Sequence, residues 1–321
     1  MTFTRPRQDN DVKMSMKIIG ALTIQRGNTV LHAQDLGGPK PRQILEILLI
    51  NFGRPVSKSS LIDLLWSDAP PQKAMVSVES YVSVLRRHLQ PGYGKTGPLR
   101  TTTGGYLIDS TTVDLDLARF DSLVRKARRV SADAAYPLLM DALSLATVPL
   151  LTDELSPVWA EEERRRHAAV VTNARVYASA MAAATGRTGE SIFWANQALL
   201  DDPLNEAAWT AVILGFEKDG QLAEGLREFA RYRSVLDREL GCAPSATLRA
   251  AHSRMLMATA NSHSDLSDAV TALLVLNKQL SRIPNGSVRP NEELDDSYAR
   301  AAVRAAQQVL SSFLRRVNEA A

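Results

Sequence analysis

Residues 72–90 read QKAMVSVESYVSVLRRHLQ, and the reading of this stretch decides the fold of the first third of the chain. Met75, Val78, Val82, Leu85 and Leu89 recur three or four apart, which predicts an amphipathic helix with one buried stripe. At about 100° per residue, the opposite face carries Lys73, Val76, Ser80, Ser83, Val84 and Arg87, with Arg86 on the flank. Small polar groups flanked by cations suit insertion into a DNA groove, where bulk would clash and hydroxyls can bond base edges or phosphate. A solvated helix face has the same composition, so this helix by itself leaves both readings open.

Working outward, residues 41–52 (PRQILEILLINF) predict another helix. Pro41 suits its first turn, Ile44, Leu45, Leu48 and Leu49 form its apolar stripe, and Gly53 ends it. Ser57 is placed to cap a helix over 58–66 with Leu61, Leu64, Leu65 and Trp66 facing inward, and Pro70-Pro71 breaks the chain after it. Before these helices, residues 17–33 read as short strands around a Gly27-Asn28 turn. After them comes a turn-rich loop at 91–98, then a hairpin at 99–108 (LRTTTGGYLI) bent at Gly104-Gly105. Its threonines, with Arg100 and Tyr106, suit a phosphate backbone, although a plain edge hairpin would read similarly.

A chain of 321 residues predicts two or three domains. The single cysteine, Cys242, excludes an internal disulfide and a cysteine-rich zinc cluster, and points to a reduced, cytoplasmic setting. No stretch approaches the roughly 18 to 20 continuous apolar residues of a membrane helix, so no membrane partner is expected. The polar N-terminus lacks a signal-peptide core and reads as a flexible leader over 1–16, or as an upstream start ahead of Met14 or Met16. The net charge is +3, unevenly spread. Residues 1–110 hold 14 Lys and Arg against 8 Asp and Glu, a net of +6, whereas 111–258 hold 17 against 20, a net of −3. A basic small domain on a mildly acidic remainder suggests a polyanion reader attached to an interaction scaffold.

From about 111 to 258 the pattern is almost wholly helical, with glycine and proline only as punctuation. At a 34-residue offset Gly186 aligns with Gly220, Glu190 with Glu224 and Ile192 with Leu226. That is the period of tetratricopeptide-like hairpins, which stack because none can bury its apolar face alone. Chance alignment of two amphipathic helices is the competing account.

The order strands, helix, helix, amphipathic helix, hairpin is that of a winged helix-turn-helix. Residues 17–110 resemble the DNA-binding domain of OmpR/PhoB-type response regulators through KPRQILEILLIN, SKSSLIDLLW, VSVESYVSVLRRHL and LRTTTGGYLI. The remainder resembles the bacterial transcriptional activation domain through DLDLARFDSL, DALSLATVPLL, WAEEERRR, DDPLNEAAW, DGQLAEGLREFARYRSVLDRELG and PSATLRAAHSRML. Together they resemble the Streptomyces antibiotic regulatory protein (SARP) family, and also EmbR-like mycobacterial regulators without their phosphopeptide-binding module. The implied fold is mainly α. It comprises a winged helix-turn-helix (α+β) over 17–110, an all-α tetratricopeptide-like domain over 111–258, and a helical C-terminal extension over 259–321.

The resemblance implies that the helix at 72–90 enters the major groove and the hairpin contacts the adjacent minor groove. Groove-facing candidates are then Val76, Ser80, Ser83, Val84 and Arg87, with Lys73 beside them; Ser77, Tyr81 and Arg86 lie near the phosphate edge. Lys40, Arg42 and Gln43 would grip phosphates, and Arg100, Thr102 and Tyr106 would belong to the wing. Family members often carry Arg or Asn where this chain has Val84, and His where it has Glu79. Val84 forfeits a polar contact or offers an apolar surface to a thymine methyl; Glu79 repels phosphate unless it turns to a cytosine amine or a neighbouring cation. The resemblance further implies promoter DNA as partner, tandem copies on direct repeats near the −35 region, and recruitment of RNA polymerase through sigma region 4 or neighbouring elements. The target would be an antibiotic or other secondary-metabolite gene cluster, and the location the cytoplasm, on the nucleoid.

Catalysis finds no support in the residues. His32, His88, His167, His252 and His263 lie far apart without metal-ligand spacing, and no GxSxG, Walker or dinucleotide motif occurs. Cys242, after Gly241 at a helix end, reads as buried or capping, and the EEERRR run at 161–166 as a solvated face with i,i+4 pairs. No cofactor is expected, nor ATP-driven control, since no nucleotide-binding domain follows. Two rivals remain: an adaptor whose winged domain binds protein, and a repressor of the same fold. Residues 265–282 and 294–318 read as helices separated by IPNGSVRPNEE, packing on the repeats, self-associating or forming a tail.

Overall fold

The computed structural model describes residues 14–67 and 69–262. The leader up to residue 13 and the two expected C-terminal helices lie outside the described residues. The chain divides into two compact units, Met1–Met181 and Ala182–Ala321.

In the first unit, β1 (Met14–Lys17), β2 (Thr23–Arg26) and β3 (Thr29–His32) form an antiparallel meander. The pair Arg26↔Thr29 closes a two-residue turn, in which Gly27 takes φ +56°. β1 starts inside the expected leader, because Met14 and Met16 alternate with Ser15 and both are buried. A 3-10 turn (Ala33–Leu36) leads into α1 (Pro39–Ile50), where Ile44, Leu45, Leu48 and Leu49 are all buried. β4 (Val56–Ser57) precedes α2 (Lys58–Trp66), and Ser57 Oγ accepts from the Ser60 amide at 3.0 Å as the expected cap. Leu61 and Leu65 point inward as read, but Leu64 is exposed.

α3 (Ala74–Leu89) buries Val78, Val82, Leu85 and Leu89. Ala74, not Met75, supplies the first buried position; Met75 is 45% exposed. β5 (Leu99–Thr102) and β6 (Gly105–Ile108) form the wing, and β4 adds to β6 in the order β4-β6-β5. β7 (Val113–Leu115) then returns to lie parallel to β1, giving a four-stranded sheet ordered β3-β2-β1-β7.

α4 (Asp116–Ala127), α5 (Ala132–Leu145) and α6 (Val158–Ala184) follow. The Asp116 carboxylate accepts from the amides of Ile18 and Ile19 at 3.0 Å. Residues 149–153 bond the same N-terminal stretch, through Gly20 N to Pro149 O, Leu151 N to Ile18 O and Leu22 N to Asp153 Oδ2. The EEERRR run is paired at i,i+3 (Glu161–Arg164, Glu163–Arg166), and Arg164 also donates to the carbonyls of Leu151 and Glu154. It is thus partly an anchor and not only a solvated face.

The second unit contains α7 (Thr188–Asp201), α8 (Glu206–Lys218), α9 (Leu222–Leu240) and α10 (Ala246–Ser262), each packed on the next. α7 and α9 begin 34 residues apart, each after a glycine of positive φ, Gly186 and Gly220. Trp209 is buried, donates through Nε1 to Pro203 O at 2.8 Å, and lies 5.3 Å from Tyr232. Gly215 and Gly225 allow close helix contacts: a Cβ would fall 2.7 Å from Ile192 Cγ1 in one case and 2.5 Å from Met255 Sδ in the other. Cys242 is exposed, so it is not the buried residue expected as one alternative; it follows Gly241, the left-handed C-cap of α9. The chain is mainly α, and among the described residues its strands all lie between Met14 and Leu115. Among the described residues, no helix is long and apolar enough to cross a membrane.

Candidate nucleic-acid interface

The buried stripe of α3 fixes which side faces out. Lys73, Val76, Ser80, Ser83 and Arg87 are exposed along one face, and Ser77 is half-buried beside them. Val76, at 60% exposure, is an apolar group held in solvent at the start of the helix. The Ser77 and Ser83 hydroxyls donate to the carbonyls one turn back, Lys73 O and Glu79 O, so each donor is satisfied within the helix while the oxygen can still accept. Lys73 and Arg87 carry no ion pair among the described residues. Their charges are therefore available to an external anion.

Arg86 serves the interior. Its guanidinium donates to Leu99 O at 3.2 and 3.3 Å and to Thr101 Oγ1 at 2.7 Å, and lies 5.9 Å from the Tyr106 ring centre. It ties α3 to the wing. Tyr106 is itself buried, at 4% exposure, so it supports the wing from beneath and does not reach out from it. Arg100 pairs with Asp109 while half of its side chain stays exposed. Thr102 is half-buried at the hairpin bend.

Other sequence candidates are turned inward too. Val84 packs where a Cβ on Gly37 would fall only 2.6 Å from its Cγ1, so it meets the 3-10 turn and not the open face. Tyr81 lies against Trp66, with ring centres 6.5 Å apart. Lys40 donates to Leu65 O at 2.5 Å and Gln43 Oε1 at 3.2 Å, under the Trp66 ring. Arg42 bonds Glu154 at 2.5 Å, and the buried Gln43 donates to the other oxygen of Glu154 at 2.9 Å. A phosphate grip at Arg42 and Gln43 is not presented, because both side chains answer a carboxylate 111 or 112 residues downstream.

That carboxylate sits in a polar cluster invisible in local sequence. Glu46 is fully buried, 3.9 Å from Arg42, and neither of its oxygens has a hydrogen-bond partner. Burial first, then the neighbouring charges of Glu154 and Asp153, push its carboxyl up to about 9, so it is neutral at physiological pH. Two further residues escape a reading of the sequence. Arg26 donates to His88 O at 2.9 Å and Leu89 O at 3.3 Å, capping the C-terminal end of α3. Gln90, also buried, accepts from the Leu99 amide at 2.8 Å and anchors the loop before the wing. Neither belongs to a periodic pattern, so no sequence signal marks them.

The helix and its wing fall within a segment that matches a known domain. The C-terminal domain of transcriptional regulatory proteins matches residues 36–108, and the bacterial transcriptional activator domain matches residues 115–256. The chain belongs to the SARP family of transcriptional regulators. The family includes the regulatory protein DnrI of Streptomyces peucetius, 27% identical over 65% of this chain and 81% of that protein. Regulatory protein AfsR of Streptomyces coelicolor is 29% identical over 86% of the chain, and transcriptional regulatory protein EmbR of Mycobacterium tuberculosis 30% identical over 68%. These matches span 27% of AfsR and 58% of EmbR, so the chain covers only part of either length. The solved structure of Mycobacterium tuberculosis EmbR with a low-affinity phosphopeptide shares the fold, with a TM-score of 0.66 at 23% identity over 93% of this chain and 69% of that one. Both matched domains are those of transcriptional regulators, which supports transcription regulation as the role of this chain.

Proposed function

We propose that the chain is a sequence-specific activator that docks the exposed face of α3 into the major groove of promoter DNA. The observation carrying this reading is that face: Lys73, Val76, Ser80, Ser83 and Arg87 lie outward, with Ser77 half-buried beside them, on a helix seated by five buried residues. Hydroxyls and an apolar methyl pair supply base-edge contacts, and the two cations supply phosphate contacts. Arg86 and Tyr106 set the wing, from which Arg100 and Thr102 approach the adjacent minor groove.

One protomer reads few base pairs, so specificity is assigned to tandem copies on direct repeats near the −35 region. The winged part (17–110) carries this contact, and the helical part (111–258) engages RNA polymerase holoenzyme at sigma region 4 or a neighbouring element. A contact worth about 1.4 kcal/mol raises occupancy tenfold. The family relationship supports an antibiotic or other secondary-metabolite cluster as the target, in the cytoplasm. The test is binding of the full-length chain to native upstream regions, followed by transcription with purified polymerase. Repeat-containing fragments should be retained and transcribed more strongly. Failure to retain any fragment at low salt overturns the DNA assignment; retention with reduced transcription overturns activation.

A further inference from the structure

Glu79 is the one acidic residue of α3, and it lies on the face assigned to DNA, between Val76 and Ser83. A free carboxylate there would repel phosphate. It is not free: Lys58 Nζ meets Glu79 Oε1 at 2.5 Å. Lys58 is placed by its own backbone. It opens α2, its amide donates to Gly104 O at 3.0 Å in the wing turn, and the preceding Ser57 pairs with Gly105. Its ammonium also lies 5.8 Å from the Tyr106 ring centre, on the aromatic that Arg86 shares. Three elements (α2, α3 and the wing) therefore converge on one lysine.

We propose that Lys58 is a positioning residue that holds and neutralises Glu79, so that α3 meets DNA without an opposing charge. The inference rests on the DNA-binding reading and adds a role within it: Lys58 acts through Glu79 and not as a phosphate ligand. A carboxylate drawn out of the groove is also removed from base reading, so cytosine selection by Glu79 is suppressed in the native protein.

The experiment uses the full chain with Lys58→Gln, Glu79→Gln, the double variant and Lys58→Arg, titrated onto a mixed-sequence duplex over a salt series. Thermal melting establishes that each variant is folded. Lys58→Gln should weaken binding about fivefold, the effect of one unscreened surface charge near phosphate. Lys58→Arg should bind as the wild type does. Adding Glu79→Gln to Lys58→Gln should restore both the affinity and the wild-type slope of log K against log[salt]. An equal loss in both backgrounds, with the slope shallower by about one, makes Lys58 an ordinary phosphate contact and overturns the proposal. Unchanged affinity in every variant overturns it too. Absence of wild-type binding even at low salt is a different failure, because it removes the DNA-binding reading itself and this inference with it.

Discussion

Arg86 is committed to Leu99 O and Thr101 Oγ1, whereas its neighbour Arg87 stands exposed without an ion pair among the described residues. Arg87→Ala is therefore expected to weaken DNA binding by about 1–3 kcal/mol with an unchanged melting temperature. Arg86→Ala should weaken binding and also lower the melting temperature, because it unties the wing from α3. Melting curves beside binding isotherms separate the two. Glu46 governs a different property. Its folded-state carboxyl is raised from 4.5 to about 9, so its contribution is complete below pH 4.5 and is lost as pH climbs from there to about 9. His167 acts in the opposite sense: burial holds it down at about 4, so its contribution is present above pH 6.5 and is lost as pH falls toward 4. Above pH 6.5 the Glu46 effect stands apart from that of His167. Glu46→Gln, a neutral isostere, should gain on the wild type by about 1.4 kcal/mol per pH unit between pH 7 and pH 9, as measured by denaturant unfolding.

At the scale of elements, the wing depends on one glycine for a reason unrelated to φ. A Cβ on Gly105 would collide with Val56 O, inside the β4–β6 pairing. Gly105→Ala is expected to cost about 1–3 kcal/mol by forcing those strands apart, and to weaken DNA binding, which a melting curve and a titration on the same variant will show. Elements with a strong period and a cap are legible in the residues alone. α2 begins where Ser57 caps it, and α3 buries Val78, Val82, Leu85 and Leu89 as its spacing requires. The ends of the pattern are less so. Met75 and Leu64 fit an apolar period yet face solvent, because periodicity gives the direction of a stripe but not its width. Val84 shows the same limit: helical spacing groups it with the outward residues, and only the approach of Gly37 reveals that the 3-10 turn packs against it.

At the scale of the molecule, β7 and Asp116 extend the first unit beyond the wing. A fragment ending at residue 110 lacks the strand that pairs with β1 and the carboxylate that holds Ile18 and Ile19. It should melt at lower temperature than a fragment ending at Ala184 and bind DNA more weakly, while the longer fragment binds as the full chain does. Equal melting of the two fragments would refute this. Charge also looks different once placed. Fourteen cations precede residue 111, which as a count suggests six to eight phosphate contacts and a salt slope of roughly −5 to −7. Arg26, Lys40, Arg42, Lys58 and Arg86 instead answer internal partners. Lys17 stands beside Asp116; with Arg54, Lys73, Arg87 and Lys95 exposed on the winged part and Arg100 half-exposed beside Asp109, about five phosphates per protomer and a slope of roughly −4 to −5 are expected from a salt titration.

Local chemistry written in the chain determined the order of elements, the capped starts of helices, the outward side of α3 and the 34-residue rhythm of the second unit. All of these depend on residues within a few turns of one another. Tertiary structure decided what each cation touches. Whether Arg42 faces phosphate or Glu154, whether Glu46 is charged, and whether Glu79 is free or held by Lys58 depend on groups 21 to 112 positions away. Electrostatic energy follows distance and burial in space, and neither is encoded in the spacing of the residues along the chain.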